Sequence, residues 1–296
     1  MLDYDIVDVF AERPFAGNQL AVVHGAEELS SDQLQTIARE FNFSETTFPT
    51  SIDADHYEVR IFTPGGEVPF AGHPTLGTAW VLRDRGLLSG DHATQHCAAG
   101  EIGVSFDDEV VRLTAVPRDL AGPLAPETAV ALLADLGLAA DDLAGDAWVA
   151  GTGLTFVHLP VRDDAVARAR PSLRPLSGYG DALTRGCSDP VEGINLYAAM
   201  DGSTHVDIHA RVFVPGLSVD EDPATGSAAA GLGMALVATG RLPLGGRYEI
   251  SQGSEMGRPS RLHGEVVVTT GSVEVCRVAG RVQPIAKGRI AVPGRA

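Results

Sequence analysis

The chain has 296 residues, of which 44% are hydrophobic, and its 39 acidic and 22 basic side chains give a net charge of −17. That length can bury a large core and suits two domains better than one. A chain this acidic repels phosphate backbones and anionic membranes, and no Lys/Arg-rich run reverses the balance locally. Nucleic acid and membranes are therefore excluded as expected partners.

Two further features predict a cytoplasmic protein. The first six residues carry acidic side chains where a signal peptide needs a basic segment, and no stretch approaches the ~18 consecutive apolar residues of a membrane-spanning helix. The three cysteines, Cys97, Cys187 and Cys276, are odd in number and lack the CxxC spacing. We therefore expect unpaired thiols in a reducing compartment.

Hydrophobic periodicity predicts the elements in chain order. A capping box at 30–33 predicts a helix that continues to Phe41, and residues 127–136 predict a second amphipathic helix. Two helices of small residues are predicted to begin at Gly72 and Gly226. Strands are predicted at 6–10, 20–23, 57–61, 155–159, 194–199, 206–212, 266–269 and 273–278.

The motif Arg-x-Phe-x-Pro-Gly occurs at 60–65 and again, 151 residues later, at 211–216. Each copy ends a predicted strand and leads to one of the two small-residue helices. A second glycine follows five residues into each helix, at Gly77 and Gly231, where it allows close packing against neighbouring backbone. Chance similarity between two Gly/Ala-rich stretches is the alternative, but the shared order of elements favours internal duplication.

The predicted fold class is α+β, with two pseudo-symmetric lobes that each wrap a β-sheet around a central helix. Runs of strands with one main helix per half give this prediction. The stretch 116–126 contains three prolines and a glycine and is the predicted boundary. The first lobe is thus predicted to span 1–118 and the second 119–281.

The starts of the two small-residue helices are candidate binding sites. A helix N-terminus exposes unpaired N–H groups and the positive end of the helix dipole, so it binds carboxylates. Gly72, Gly226 and Ser227 are candidate donors, although packing and capping explain the same residues. His73 adds an imidazole and Asp222 a carboxylate, whose alternative roles are a structural histidine and a turn or cap. If the halves are related by a twofold axis, both starts face the cleft between them.

Glu45 lies in a segment, 41–48, that holds three phenylalanines among eight residues. An apolar site disfavours the charged carboxylate, so we expect the pKa of Glu45 to rise toward a range useful for proton transfer. An exposed strand glutamate is the alternative. Ser44 and Asn18 are further candidates for substrate contact.

Metal and nucleotide sites are not indicated. His205 and His209 fall on a predicted strand, which would place them about 13 Å apart, too far for one zinc ion. No phosphate-binding Gly-x-x-x-x-Gly-Lys-Ser/Thr motif is present, and 151–153 lacks the third glycine of a dinucleotide fingerprint. We therefore expect no cofactor.

Several motifs together resemble the phenazine-biosynthesis isomerase (PhzF-like) family, which shares its two-lobed fold with diaminopimelate epimerase. They are Ala-Gly-Asn at 16–18, Ser-Glu-Thr-Thr-Phe at 44–48, Pro-Phe-Ala-Gly-His-Pro at 69–74, Glu-Asp-Pro-Ala-Thr-Gly-Ser at 221–227 and the segment 252–260. The similarity runs from near residue 5 to beyond residue 260. Gln19 departs from the pattern, because a proline is common there, and Gly65-Gly66 occupies a variable position.

The resemblance implies a cofactor-independent isomerase in secondary metabolism. It makes Glu45 the catalytic acid/base and has Asp222 and His73 contact the substrate, which for the phenazine enzyme is trans-2,3-dihydro-3-hydroxyanthranilate. It also implies a homodimer, and a C-terminal strand at 282–296 that joins the first lobe. Relatives that epimerise amino acids carry a cysteine at each helix start, whereas this chain has none near His73 or at 225–227. A double-bond shift by one carboxyl is therefore favoured over two-thiol racemisation.

Two other classes of function remain as alternatives. A serine hydrolase would use Ser227, His73 and Asp222 as a triad, but the chain lacks the Gly-x-Ser-x-Gly elbow at Ser227, and Glu45 would have no role. A non-catalytic binding protein of the same fold is the other alternative, which the presence of both Glu45 and Asp222 disfavours.

Overall fold

The computed structural model describes residues 1–107, 109–172, 174–202, 205–215 and 220–294. The chain divides into two compact units, one formed by Met1–Thr114 with Ala279–Ala296 and the other by Ala115–Val278. Gly216, which ends the second Arg-x-Phe-x-Pro-Gly motif, and residues 295–296 of the predicted last strand lie outside the described residues.

The predicted α+β class is confirmed by a mixture of many strands with few helices. The strands are β1 Leu2–Val9, β2 Asn18–Val23, β3 Glu45–Thr50, β4 His56–Phe62, β5 Glu67–Val68, β6 His92–Cys97, β7 Gly100–Asp107, β8 Val110–Ala115, β9 Asp119–Ala121, β10 Trp148–Gly151, β11 Thr155–Pro160, β12 Val191–Asp201, β13 Val206–Phe213, β14 Glu221–Asp222, β15 Gly245–Gln252, β16 Ser260–Thr269, β17 Ser272–Gly280 and β18 Val282–Ile290. The helices are α1 Ser31–Phe41, α2 Gly72–Asp84, α3 Pro126–Asp135, α4 Asp163–Arg168, α5 Asp181–Thr184 and α6 Gly226–Ala238, with short 3₁₀ turns at 140–142, 176–179 and 254–256.

The first unit is a mixed sheet with α2 buried against it. β1 pairs antiparallel with both β2 and β18, β2 runs parallel to β3, and β3 continues antiparallel into β4. β4 pairs antiparallel with β5 and parallel with β6, and β6, β7 and β8 follow as antiparallel neighbours. α1 packs an apolar face on Phe48 and Phe62, and its predicted capping box, with Ser30 and Gln33 bonded to each other's backbone, is confirmed.

The second unit repeats this arrangement around α6. β10 pairs antiparallel with β9 and β11, β11 runs parallel to β12, and β12 pairs antiparallel with β13. β13 then pairs antiparallel with β14 and parallel with β15, which pairs antiparallel with β16. Eleven of the residues of α6 are buried, so this helix is a core element.

The second glycine of each central helix sits where the helix touches strand atoms. A Cβ added at Gly77 would lie 2.5 Å from Leu20 Cδ2 and 2.7 Å from Val9 Cγ2. At Gly231 it would lie 2.9 Å from both Ala150 O and His158 Nε2. Each helix therefore approaches its sheet at a distance that only glycine permits.

The repeated Arg-x-Phe motif builds the same structure twice. Arg60 makes a bidentate contact with Glu67, at 2.8 and 2.6 Å, and its guanidinium lies 5.1 Å from the Phe62 ring centroid. Arg211 makes a bidentate contact with Glu221, at 2.8 and 2.8 Å, and lies 4.9 Å from the Phe213 ring centroid. In each unit the arginine ties the strand that ends in the motif to the short strand that follows it. This shared device supports the internal duplication inferred from the sequence.

Candidate active site

Three candidate residues of the first unit come together beside α2. Asn18 is the first residue of β2, Glu45 is the first residue of β3 and pairs with Leu20, and His73 is the second residue of α2. His73 Nε2 lies 3.6 Å from Glu45 Oε2, and His73 Nδ1 lies 3.3 Å from Asn18 Nδ2. The starts of two parallel strands and of one helix thus place the His73 imidazole between the Asn18 amide and the Glu45 carboxyl.

Hydrogen-bond partners fix the tautomer of His73. His73 Nε2 lies 3.3 Å from the main-chain oxygen of Gln19, which can only accept, so Nε2 carries the hydrogen. Nδ1 then accepts from the Asn18 amide. Burial lowers the pKa of His73 to about 3, because desolvation disfavours the charged ring more than the Gln19 bond favours it. The ring is therefore neutral at neutral pH, and its contact with Glu45 is that of a neutral N–H with a carboxyl.

The Glu45 side chain is 16% exposed, and its Oε2 atom is buried. Because strand residues alternate between faces, Phe48 points away from the face that carries Glu45, and it packs with Phe41 in the cluster beneath α1. The phenylalanines of this segment thus serve mainly the α1 core, and the carboxyl faces His73. Ser44 is half-buried and precedes β3 directly.

Gly17 is required for the entry into β2. Its φ is +66°, and a Cβ there would lie 2.2 Å from Val9 O. Any other residue would push the start of β2 away from β1 and carry Asn18 with it. Asn18 is a candidate from the sequence, whereas the Gln19 carbonyl that orients His73 was not predicted, because a main-chain acceptor has no side-chain signature.

The second unit holds Asp222 in a network of hydrogen bonds. Thr225 Oγ1 lies 2.6 Å from Asp222 Oδ2, and the amide of Gln252 contacts Thr225 Oγ1 at 3.2 Å and Asp222 O at 2.8 Å. Gln252 is only 2% exposed. Thr225 and Gln252 were not predicted as site residues; Thr225 lies inside the Asp-Pro-Ala-Thr-Gly-Ser motif, but Gln252 lies 30 residues from Asp222 in sequence.

The remaining predicted residues lie at the two helix starts. Gly72 and Gly226 are the first residues of α2 and α6, and Ser227 is the second residue of α6, with 5% exposure. Neither helix receives a hydrogen bond from the side chain of its N-cap residue, Ala71 or Thr225. Backbone N–H groups at such a start are suited to an anionic group of a ligand.

A catalytic triad is disfavoured by the partners of His73. A triad histidine directs Nδ1 to an aspartate and Nε2 to the serine. In this chain Nδ1 accepts from Asn18, and Nε2 points to Gln19 O with Glu45 nearby.

Within the described ranges no group of three His, Cys, Asp or Glu side chains could hold a metal ion, and no helix is both long and apolar enough to cross a membrane. His209, one of the two strand histidines weighed as a metal pair, hydrogen-bonds the side chains of Asp163 and Glu255, at 3.3 and 2.9 Å.

A carboxyl held beside a neutral histidine is an arrangement suited to proton transfer. The chain matches the model of the phenazine biosynthesis-like protein family (PhzC-PhzF) over residues 7–288. A trans-2,3-dihydro-3-hydroxyanthranilate isomerase of Pseudomonas chlororaphis is 34% identical over 298 residues, which cover 98% of this chain and 99% of that protein. The chain therefore belongs to the phenazine biosynthesis-like family, and it is an isomerase.

Solved structures agree with this assignment. A predicted epimerase from Pseudomonas aeruginosa is 31% identical and superimposes with a TM-score of 0.81, covering 98% of this chain and 99% of that chain. A probable proline racemase from Agrobacterium radiobacter is 13% identical, with a TM-score of 0.63 over 99% of this chain and 94% of that chain. The second likeness shows a common fold, the diaminopimelate epimerase-like fold implied by the sequence.

Proposed function

We propose that this isomerase acts on a small carboxylated substrate of the trans-2,3-dihydro-3-hydroxyanthranilate type, and that the Glu45 carboxyl moves one proton between two of its carbons. The observation that carries the proposal is the placement of Glu45 next to a buried His73 that cannot itself supply a proton near neutral pH. The name of the Pseudomonas chlororaphis relative supports the substrate class.

The proposed reaction is balanced without a cofactor. The carboxylate of Glu45 removes a proton from a saturated ring carbon, and the electron pair of that C–H bond moves into the adjacent conjugated system. The protonated carboxyl then returns the proton to a different carbon of that system. The double bond shifts, nothing is oxidised or reduced, and Glu45 ends in its starting form.

The neutral His73 has a different task from Glu45. Its Nε2–H faces the Gln19 carbonyl, its Nδ1 accepts from Asn18, and the Glu45 carboxyl lies 3.6 Å from Nε2. A neutral imidazole is a very weak acid, so His73 stands beside the carboxyl without competing for the transferred proton.

The other candidate residues are proposed to bind the substrate. Asp222 polarises and orients it, and the N–H groups at Gly72 and Gly226, with the Ser227 hydroxyl, bind its carboxylate. Asn18 and Ser44 contact it near Glu45. The uncapped helix starts support these roles. By the same family resemblance we propose that the protein is a homodimer, which light scattering on the purified protein tests. We also propose that it is cytoplasmic.

The experiment compares wild-type protein, Glu45→Gln and Glu45→Asp with trans-2,3-dihydro-3-hydroxyanthranilate as substrate and NMR as the readout of isomerisation. Glu45→Gln keeps the shape of the side chain but removes the exchangeable carboxyl, so turnover should fall by about 10²-fold or more with an unchanged fold. Glu45→Asp keeps the carboxyl and should retain more activity. Near-wild-type turnover by folded Glu45→Gln would refute the mechanism, whereas inactivity of the wild type would refute this substrate.

A further inference from the structure

We propose that Gln252 is a positioning residue for Asp222: its side-chain amide holds the 222–225 turn open and, through the Thr225 hydroxyl, fixes the orientation of the Asp222 carboxylate. The effect on turnover rests on the substrate contact proposed for Asp222, but the structural part of the inference stands without it.

The orientation of the Gln252 amide follows from its partners. Asp222 O can only accept, so it must face the amide nitrogen, which lies 2.8 Å away. The Thr225 N–H can only donate, so it must face Gln252 Oε1, at 3.4 Å. Both ends of the amide are thereby assigned by chemistry. One buried side chain thus bridges the main chain of two residues that lie three positions apart.

The Gln252 amide takes the place of the main-chain hydrogen bond that a turn at 222–225 would otherwise make. In Asp-Pro-Ala-Thr, proline sits at the second position of a four-residue turn, where its fixed φ favours a direct bond from the fourth N–H to the first carbonyl. Here those two groups, Thr225 N and Asp222 O, bond the Gln252 amide instead. The chain after Gln252 also packs on the turn, since a Cβ added at Gly253 would lie 2.5 Å from Pro223 O.

The second proton of the amide starts a directed relay to the carboxylate. Gln252 Nε2 lies 3.2 Å from Thr225 Oγ1, which lies 2.6 Å from Asp222 Oδ2. The amide nitrogen can only donate, so the Thr225 hydroxyl accepts from it and donates its single hydrogen to the Asp222 carboxylate. Gln252 therefore sets the direction of the hydroxyl, and the hydroxyl sets the rotation of Asp222. Buried chains of this kind hold a functional side chain in one geometry.

Crystal structures of the wild type and of Gln252→Met test the structural part. Methionine has a similar length but makes no amide hydrogen bonds. We expect the turn to close with a direct bond from Thr225 N to Asp222 O, and the Asp222 carboxylate to move by on the order of 1 Å, a displacement large enough to slow a positioned reaction. An Asp222 carboxylate that keeps its place would overturn the inference. Thr225→Val, which breaks the relay at its second member, provides the same test if Gln252→Met does not fold.

Kinetics test the consequence for the reaction. Gln252→Met and Thr225→Val should each lower kcat by about tenfold or more with smaller changes in KM, and the double variant should be no slower than the slower single variant, because both remove one relay. Thr225→Ser keeps the hydroxyl and should stay within about twofold of the wild type. Tyr248→Phe is the matched control, since Tyr248 is buried on the same strand as Gln252 and donates to Ala229 O at 2.8 Å. Additive losses, or an equal loss in Tyr248→Phe, would overturn the inference.

The two arms separate this inference from the proposed function. If the wild type turns over no dihydro-hydroxyanthranilate, the substrate assignment fails, and the crystal structures still decide whether Gln252 positions Asp222. If the wild type is active but Gln252→Met leaves both Asp222 and kcat unchanged, only the positioning role fails.

Discussion

Acidification should destabilise this protein through two histidines that are buried in neutral form. Burial lowers the pKa of His73 to about 3 and that of His158 to about 4, below the value of about 6.5 expected in the unfolded chain. As the pH falls below 6.5 the unfolded chain binds protons that the folded chain does not. The free energy of unfolding is therefore at its full value above pH 6.5 and decreases as the pH falls toward the folded pKa values.

The magnitude follows from the two pKa values. Between pH 7.5 and 5.5 each histidine should remove about 1.4 kcal/mol from the free energy of unfolding, or about 2.8 kcal/mol together. His158 accepts from Asn195 at 3.1 Å and lies 3.4 Å from Ala150 O, so it repeats in the second unit the neutral arrangement of His73. His158→Gln should reduce the acid-dependent loss by about 1.4 kcal/mol.

Urea unfolding of the wild type and of His158→Gln, each at pH 7.5 and 5.5, measures how far the substitution reduces the acid-dependent loss of unfolding free energy. His56→Gln is the control, because His56 is exposed and its pKa is raised by its hydrogen bond to Asp55, so its removal should not reduce the loss. ¹⁵N NMR of the wild type reads the rings directly and should show both buried histidines as neutral Nε2–H tautomers at pH 5.5. Titration of His73 near pH 6.5 would contradict the proposal that Glu45 alone moves the proton.

Two further predictions concern the packing that positions the site. Gly77→Ala should lower the melting temperature although alanine favours helix, because its Cβ would press on Leu20 and the overlap costs about 1–3 kcal/mol; a raised melting temperature in a thermal scan would contradict the close approach. Arg211→Lys should lower the free energy of unfolding by about 2 kcal/mol more than Arg60→Lys, because the Arg211–Glu221 pair is 7% and 10% exposed and the Arg60–Glu67 pair is 36% and 39% exposed. Equal losses in denaturant unfolding of the two variants would refute the contribution of burial.

Local sequence signals were sufficient for much of the fold. The capping box at Ser30 and the glycine at each central helix carry their own backbone requirements, so these features can be recognised without knowledge of distant contacts. The repeated Arg-x-Phe motif is recognisable for the same reason, although its partners Glu67 and Glu221 lie at different spacings. The strands β6, β7 and β8 were not predicted; β6 and β7 consist mostly of polar residues and glycine, which gives little hydrophobic signal.

The candidate site was only partly accessible from the sequence. Glu45, His73 and Asp222 are candidates because the motifs that contain them resemble a known family, and the structure adds how His73 is held. The Gln19 carbonyl and the Gln252 amide were not predictable, since one is main chain and the other acts on a residue 30 positions away. Strand alternation sends Phe48 to the face of β3 opposite Glu45, and the apolar pocket expected around Glu45 stays a prediction.

Isotope transfer tests most directly the claim that one carboxyl removes and returns the proton. The measurement uses trans-2,3-dihydro-3-hydroxyanthranilate deuterated at the carbon that loses its hydrogen, converted in H₂O by the wild-type protein, with NMR and mass spectrometry of the product at low conversion. Because Glu45 holds the same deuteron between the two steps, a measurable fraction of the product should carry deuterium at the carbon that gains it. Turnover with complete loss of the label to solvent would contradict the single-carboxyl account.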